Sequence, residues 1–185
     1  MCQKLLDWLV QSNKLGQRFR VAVNLSGNSV ASTAFLKELQ KLLAQHEDIR
    51  KQLIIEITES AQIKDLKPVN VFIQEIRRAG HTVCLDDFGA GAAALRYLHE
   101  LDVDIVKIDG QYILGAQGGG KNKAFLKAIA GLCTELSIET VAEMVENKET
   151  LAILNDCGIG FGQGYYFGKP STEIGVFNMS QPKLR

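Results

Sequence analysis

Two adjacent aspartates, Asp86 and Asp87, end an apolar run from Thr82 to Leu85 and open onto a loop with glycines at 89 and 91. Like charges side by side repel, so a nearby cation is needed to favour keeping both. A lone Asp-Asp ahead of a helix is most often a cap accepting backbone N–H bonds. This pair does not stand alone. Asn24 follows RVAV, Glu56 follows QLII, Lys107 follows VDIV, Glu143 follows IETVA and Gln163 follows GIGFG. Taken singly, Asn24 and Gln163 mean little, Glu59 reads as a turn residue, and Lys107 with Asp109 reads as a salt bridge. The recurrence of one position, at or just past the end of an apolar run, outweighs those readings. Carboxylates and an amide, with no His or Cys among them, suit a hard divalent cation such as Mg²⁺ or Mn²⁺.

Such residues act together only if the strands carrying them end on one rim. Strand-like runs at 20–26, 52–59, 81–87, 103–109, 138–143 and, more weakly, 158–164 alternate with helical patterns. The helical segments are ASTAFLKELQKLLAQ, PVNVFIQEIRRAG, AALRYLHEL, NKAFLKAIAGLCTEL and NKETLAILNDCG, with Gly80 and Gly158 as C-terminal stops. Strand followed by helix, repeated, predicts an α/β fold with a parallel sheet. In a parallel α/β barrel the carboxyl ends of the strands form the catalytic face, which is where these polar residues fall. The segment GAQGGGK (115–121) reads as a glycine-rich loop. As a phosphate-binding loop it fails: Asn122 stands where a hydroxyl residue should follow Lys121, and QYIL separates it from the preceding strand.

At 185 residues, with 46% hydrophobic and 23% charged residues, the chain has material for one core. No linker or repeat divides it, so a single domain over 1–185 is expected, with 171–185 as a tail. Lys plus Arg and Asp plus Glu both number 21, which argues against a nucleic-acid polymer as partner and leaves room for one small anion. Cys2, Cys84, Cys133 and Cys157 are scattered, and so are His46, His81 and His99. Neither a zinc site nor a disulfide framework follows, and a reducing cytoplasm is the expected location. No run approaches the roughly 20 apolar residues of a membrane span, and the first residues read as an amphipathic helix.

The motifs NLS (24–26), EITES (56–60), DDFGAG (86–91), VKID (106–109), AEMVE (142–146) and GQGYYFGKP (162–170), in this order between about Leu5 and Pro170, resemble those of EAL domains, the bacterial cyclic-di-GMP phosphodiesterases. The resemblance implies a TIM-like (β/α) barrel and two-metal hydrolysis of cyclic di-GMP to linear pGpG. By the same resemblance Asn24, Glu56, Asp86 and Asp87 are metal ligands, with Asp86 bridging two ions. Glu143 matches a glutamate that is either a further ligand or the general base, and Lys107 matches the lysine beside the attacking water. Lys107, Glu143 and Asp87 are therefore the expected catalytic residues. Gln163 matches the glutamine of the QG motif at the site. Glu59 matches the glutamate that steadies the loop after the aspartates, Phe88 to Ala94, in which Phe88 and Gly89 give shape.

Two departures stand out. Met144 occupies a position where the family usually has glycine, which would crowd the loop after Glu143. The E-A-L-x-R segment that names the family has no counterpart before Arg20, and six strands are found where such a barrel has eight. The expectation is a partial EAL domain missing its first two strands, an open or partner-completed barrel with unpaired edges at 20–26 and 158–164. A complete site holds two cations, and this one holds one if the missing glutamate is not replaced. The chain alone is then expected to be weakly active or inactive. The alternative is a non-catalytic cyclic-di-GMP receptor or a protein-docking module; an enolase-like lyase fits the motif order poorly. Expected partners are cyclic di-GMP, with a homodimer or upstream sensory or GGDEF domains as further associations.

Overall fold

β-Branched residues concentrate in the short runs and 3.6-residue periodicity in the longer ones, and the two kinds of segment alternate as helix and parallel strand. The computed structural model describes residues 2–14, 19–58, 63, 65–89 and 94–170. Glu59, residues 90–93 of the loop after the aspartates, and the tail from 171 lie outside the described residues. The chain forms two compact units: Met1–Asp86 with Ala90–Asp104, and Asp87–Gly89 with Ile105–Arg185.

In the first unit, β1 (Val21–Leu25), β2 (Leu53–Thr58) and β3 (Thr82–Phe88, whose last two residues belong to the second unit) run parallel in that order. Helices α1 (Cys2–Lys14), α2 (Gly27–Val30), α3 (Thr33–Ala44), α4 (Lys67–Arg78) and α5 (Ala94–Glu100) accompany them. The strand partners Val23–Ile55 and Leu25–Ile57 share one face. Leu6, Leu9, Leu39 and Leu43 are buried with them, and each fully buried side chain of this kind contributes roughly 1.5–3 kcal/mol. Helix α4 buries Val69, Phe72, Ile73 and Ile76 on one stripe. It stops as expected at Gly80, whose φ of 93° favours glycine.

In the second unit, β4 (Ile105–Ile108), β5 (Glu139–Ala142) and β6 (Phe161–Gly162) are also parallel and in chain order. They alternate with α6 (Gly110–Gln117), α7 (Gly120–Glu135) and α8 (Lys148–Cys157). Asn147 caps α8 by accepting from the Thr150 N–H, and Gly158 ends it in the left-handed conformation.

Two details differ from the sequence reading. Most of the glycine-rich stretch is helical, because Asp109 caps α6 and carries it through Gln117, leaving Gly118 and Gly119 between α6 and α7. The strand expected at 158–164 shrinks to Phe161–Gly162, since Gly158 completes the preceding helix and Gly164 has turned away from strand geometry. Among the described residues, β1 pairs with β2 alone and β6 with β5 alone, in keeping with the open edges anticipated.

Candidate functional site

Partners across a parallel ladder share a face, and so do residues two apart along a strand. In the first unit Asn24 lies opposite Glu56, and Glu56 opposite Cys84, two residues before Asp86. Asn24, Glu56 and Asp86 therefore project from the same face toward the carboxyl ends of β1, β2 and β3, on the side away from the leucine-rich packing. Glu56 and Asp86 are buried, with 8% and 9% of their surfaces exposed. Asn24 is exposed. A carboxylate at that depth is retained only with compensating charge or hydrogen bonds.

The second unit repeats the logic. Lys107 lies opposite Val141, two residues before Glu143, and their side chains form an ion pair of 2.8 Å. Its members are 8% and 19% exposed. Gln163 follows the Ala142–Gly162 pair and so extends the row of Glu143, with its own side chain exposed.

Asp87 departs from strand geometry with φ of 56°, a conformation that Asp tolerates better than most residues. The departure breaks the strand's side-chain alternation at Asp87. A carboxylate oxygen of Asp87 lies within 4.8 Å of one of Glu143. The residues after Asp87 hold this turn in place. Phe88 is 1% exposed, and its carbonyl accepts the Asp109 N–H at 3.1 Å. The Gly89 carbonyl accepts the Tyr112 hydroxyl at 3.0 Å. Gly89 has φ of 102°, and a Cβ there would run into the Tyr112 ring, which itself stacks on Phe125.

The loop after β5 is set by backbone contacts. The Glu143 N–H donates to the Ile108 carbonyl at 3.2 Å, Val145 N–H to Gln163 O at 3.0 Å, and Tyr166 N–H to Val145 O at 3.0 Å. Gly164 passes so close to Val145 that a Cβ would collide with its N and O atoms. Met144 adopts φ of 54°, which accounts for a preference for glycine at this position and costs a residue with a Cβ about 1 kcal/mol. Its side chain is 49% exposed and lies over Gly110, where any Cβ would strike the thioether. The crowding foreseen for Met144 therefore falls on the start of α6.

The structure thus brings Asn24, Glu56 and Asp86 onto one face of the first unit, and Asp87, Lys107, Glu143 and Gln163 together in the second. Glu59 lies outside the described residues. Tyr112, Gly110 and Val145 were not singled out from the sequence. The Gly164–Val145 contact could have been suspected from the Gln-Gly pair, but nothing local marks Tyr112, whose role depends on where α6 sits. The donors are all oxygens, two acidic groups lie within chelating reach, and the Lys107 ammonium is engaged by Glu143. This set fits a hard divalent cation.

A sequence model of the EAL domain matches residues 1–170. Cyclic di-GMP phosphodiesterase PdeB of Shewanella oneidensis is 38% identical over 91% of this chain, which corresponds to 20% of that protein. Cyclic di-GMP phosphodiesterase PdeF of Escherichia coli is 32% identical over 96% of this chain and 24% of its own length. The chain thus spans a quarter or less of these two relatives. The crystal structure of an EAL domain protein from Listeria monocytogenes superposes with a TM-score of 0.79 at 33% identity, covering 88% of this chain and 64% of that one. The ordered motifs, the parallel strands with acids at their carboxyl ends and the matches over nearly the whole length agree: this chain belongs to the EAL domain family, whose fold is a TIM-like (β/α) barrel.

Proposed function

We propose that this chain serves the hydrolysis of cyclic di-GMP to linear pGpG. The observation that carries this reading is the proximity of the Asp87 and Glu143 carboxylates, within 4.8 Å, with Lys107 held 2.8 Å from Glu143 in a chain of this family. Asn24, Glu56, Asp86, Asp87 and Glu143 would hold divalent cations, Mg²⁺ or Mn²⁺. When bound, such ions neutralise the phosphodiester and lower the pKa of the attacking water. Where Glu143 is not a ligand it would accept the proton of that water, and Lys107 would offset negative charge gathering beside it. Gln163, exposed in the same row, supplies an amide toward the substrate. Phe88 and Gly89 fix the turn of Asp87.

The E-A-L-x-R glutamate is not among the 185 residues, and the assay below measures turnover by these residues directly. A second reading is a non-catalytic cyclic-di-GMP receptor. No helix among the described residues is long and apolar enough to cross a membrane. A bacterial cytoplasmic setting and association with a second copy, a sensory domain or a GGDEF domain belong to the same proposal.

The test is an assay of the purified chain with cyclic di-GMP, scoring binding and pGpG release together, with Mn²⁺ and with chelator. Metal-dependent release supports hydrolysis. Binding without release makes the chain a receptor, and neither outcome with Mn²⁺ present would overturn both readings for the isolated chain.

A further inference from the structure

Within the second unit, the turn at Asp87 is backed by the start of α6. The Asp109 carboxylate accepts the Gln111 N–H at 2.7 Å, and its carbonyl accepts the Tyr112 N–H at 3.1 Å. That first helical turn offers two donors to two successive carbonyls: the Asp109 N–H to Phe88 at 3.1 Å, and the Tyr112 hydroxyl to Gly89 at 3.0 Å. The Tyr112 ring lies flush on Gly89, where any Cβ would collide with it. The Phe125 ring, from α7, stacks on Tyr112 with centroids 5.5 Å apart and planes 20° from parallel.

Phe125 is itself 49% exposed. A single exposed aromatic needs no special reason, but this one is fixed in place. Asn122 Nδ2 donates to the Gly115 carbonyl at 3.2 Å, which ties the first turn of α7 to α6 and sets Phe125 against Tyr112. The stack restricts the tyrosine's rotamers and so keeps its hydroxyl aimed at Gly89. Asp87, two residues earlier, has φ of 56°, a conformation that a residue with a Cβ keeps when its surroundings hold it there.

We infer that Tyr112 and Phe125 are positioning residues for the Asp87 carboxylate: the tyrosine hydroxyl fixes the Gly89 carbonyl and with it the left-handed turn, and the Phe125 ring fixes the hydroxyl. Both act through the backbone and neither is a ligand. The inference rests on the reading of Asp87 as a metal ligand given above. A chain that populates the turn less binds its cation more weakly in proportion.

The test compares the full chain with Tyr112→Phe, Phe125→Leu and Phe125→Tyr. Mn²⁺ affinity is read by isothermal titration, and the carbonyl ¹³C resonance of Gly89 is read by NMR with chelator present, which reports the hydrogen bond without any metal. Tyr112→Phe keeps the ring and removes the donor. It should shift the Gly89 resonance and weaken Mn²⁺ binding about fivefold, as loss of one hydrogen bond implies. Phe125→Leu should shift the same resonance in the same direction and weaken Mn²⁺ binding about twofold to fivefold, and Phe125→Tyr, which restores an aromatic face, should recover both. A merely structural pair would alter urea stability and leave the Mn²⁺ affinity of the folded chain unchanged. Unchanged affinity in Tyr112→Phe and Phe125→Leu, an unmoved Gly89 resonance in Tyr112→Phe, or no recovery in Phe125→Tyr would each overturn the inference while leaving the metal reading intact. Failure of the unaltered chain to bind Mn²⁺ would instead overturn the metal reading, and this inference with it.

Discussion

The Lys107–Glu143 pair offers a test of the second unit's electrostatics. At 2.8 Å and an effective dielectric of about 20, two unit charges attract by about 6 kcal/mol. Burying the ammonium and the carboxylate at 8% and 19% exposure takes back several kcal/mol of this, so the net coupling is about 1–3 kcal/mol. Lys107→Met leaves Glu143 with its ammonium partner removed and the Asp87 carboxylate within 4.8 Å. Glu143→Gln leaves the ammonium opposite a neutral amide. Each single change should cost about 2–4 kcal/mol, and the double variant should cost less than their sum by the coupling. Urea unfolding of the four proteins in the presence of chelator, followed by circular dichroism, measures this directly. Additivity within about 0.5 kcal/mol would show that the pair is not coupled and would refute the argument. Metal affinity adds an independent arm. Lys107→Met makes the Asp87–Glu143 region more negative, so Mn²⁺ binding should hold or tighten, whereas Glu143→Gln should weaken it. Equal weakening by both would contradict the separation of ligand from counter-charge.

Four further outcomes are expected. Asp86→Asn should lower Mn²⁺ affinity by about tenfold or more while Lys107→Ala does not, as isothermal titration would read; equal losses would count against Asp86 as a ligand. Gly164→Ala should cost about 2–4 kcal/mol, because the new methyl meets the Val145 backbone and strains the Val145–Gln163 and Tyr166–Val145 hydrogen bonds; a loss under about 0.5 kcal/mol would contradict the contact. The pKa of His81 is held below its ordinary 6.5 by burial and Arg50, so the unfolded chain takes up that proton first. Stability from this group is then level above pH 6.5 and is lost as pH falls from there through the folded-state value, a slope that unfolding measured at several pH values should find reduced in His81→Phe. Burial raises the Cys133 thiol to about 11, so alkylation at neutral pH should reach Cys133 only on unfolding, and rapid labelling of the native chain would argue against its burial.

The strand–helix succession was legible because a parallel strand covered on its helix-facing side must be apolar at alternate positions: Ile55 and Ile57 mark β2 and Val83 and Leu85 mark β3 without reference to any neighbour. The helix stops at Gly80 and Gly158 were equally local, since a left-handed cap favours the residue without a Cβ. The candidate acids were legible for the same reason, as polar residues breaking an apolar run at one repeated position. The sequence could not show which of them are neighbours. Register decides that Asn24 faces Glu56, and the left-handed turn at Asp87 decides that this carboxylate reaches Glu143 instead of following the strand's alternation. Spacing alone favoured pairing Lys107 with Asp109, yet Asp109 caps α6 and Lys107 reaches across to β5. The supports of the site, Tyr112 on the Gly89 carbonyl and Val145 against Gly164, lie 23 and about 19 residues from their partners. Local periodicity and glycine chemistry write the elements into the sequence, because those preferences act within a few residues; contacts between side chains from different strands and helices exist only once packing has fixed register and helix placement.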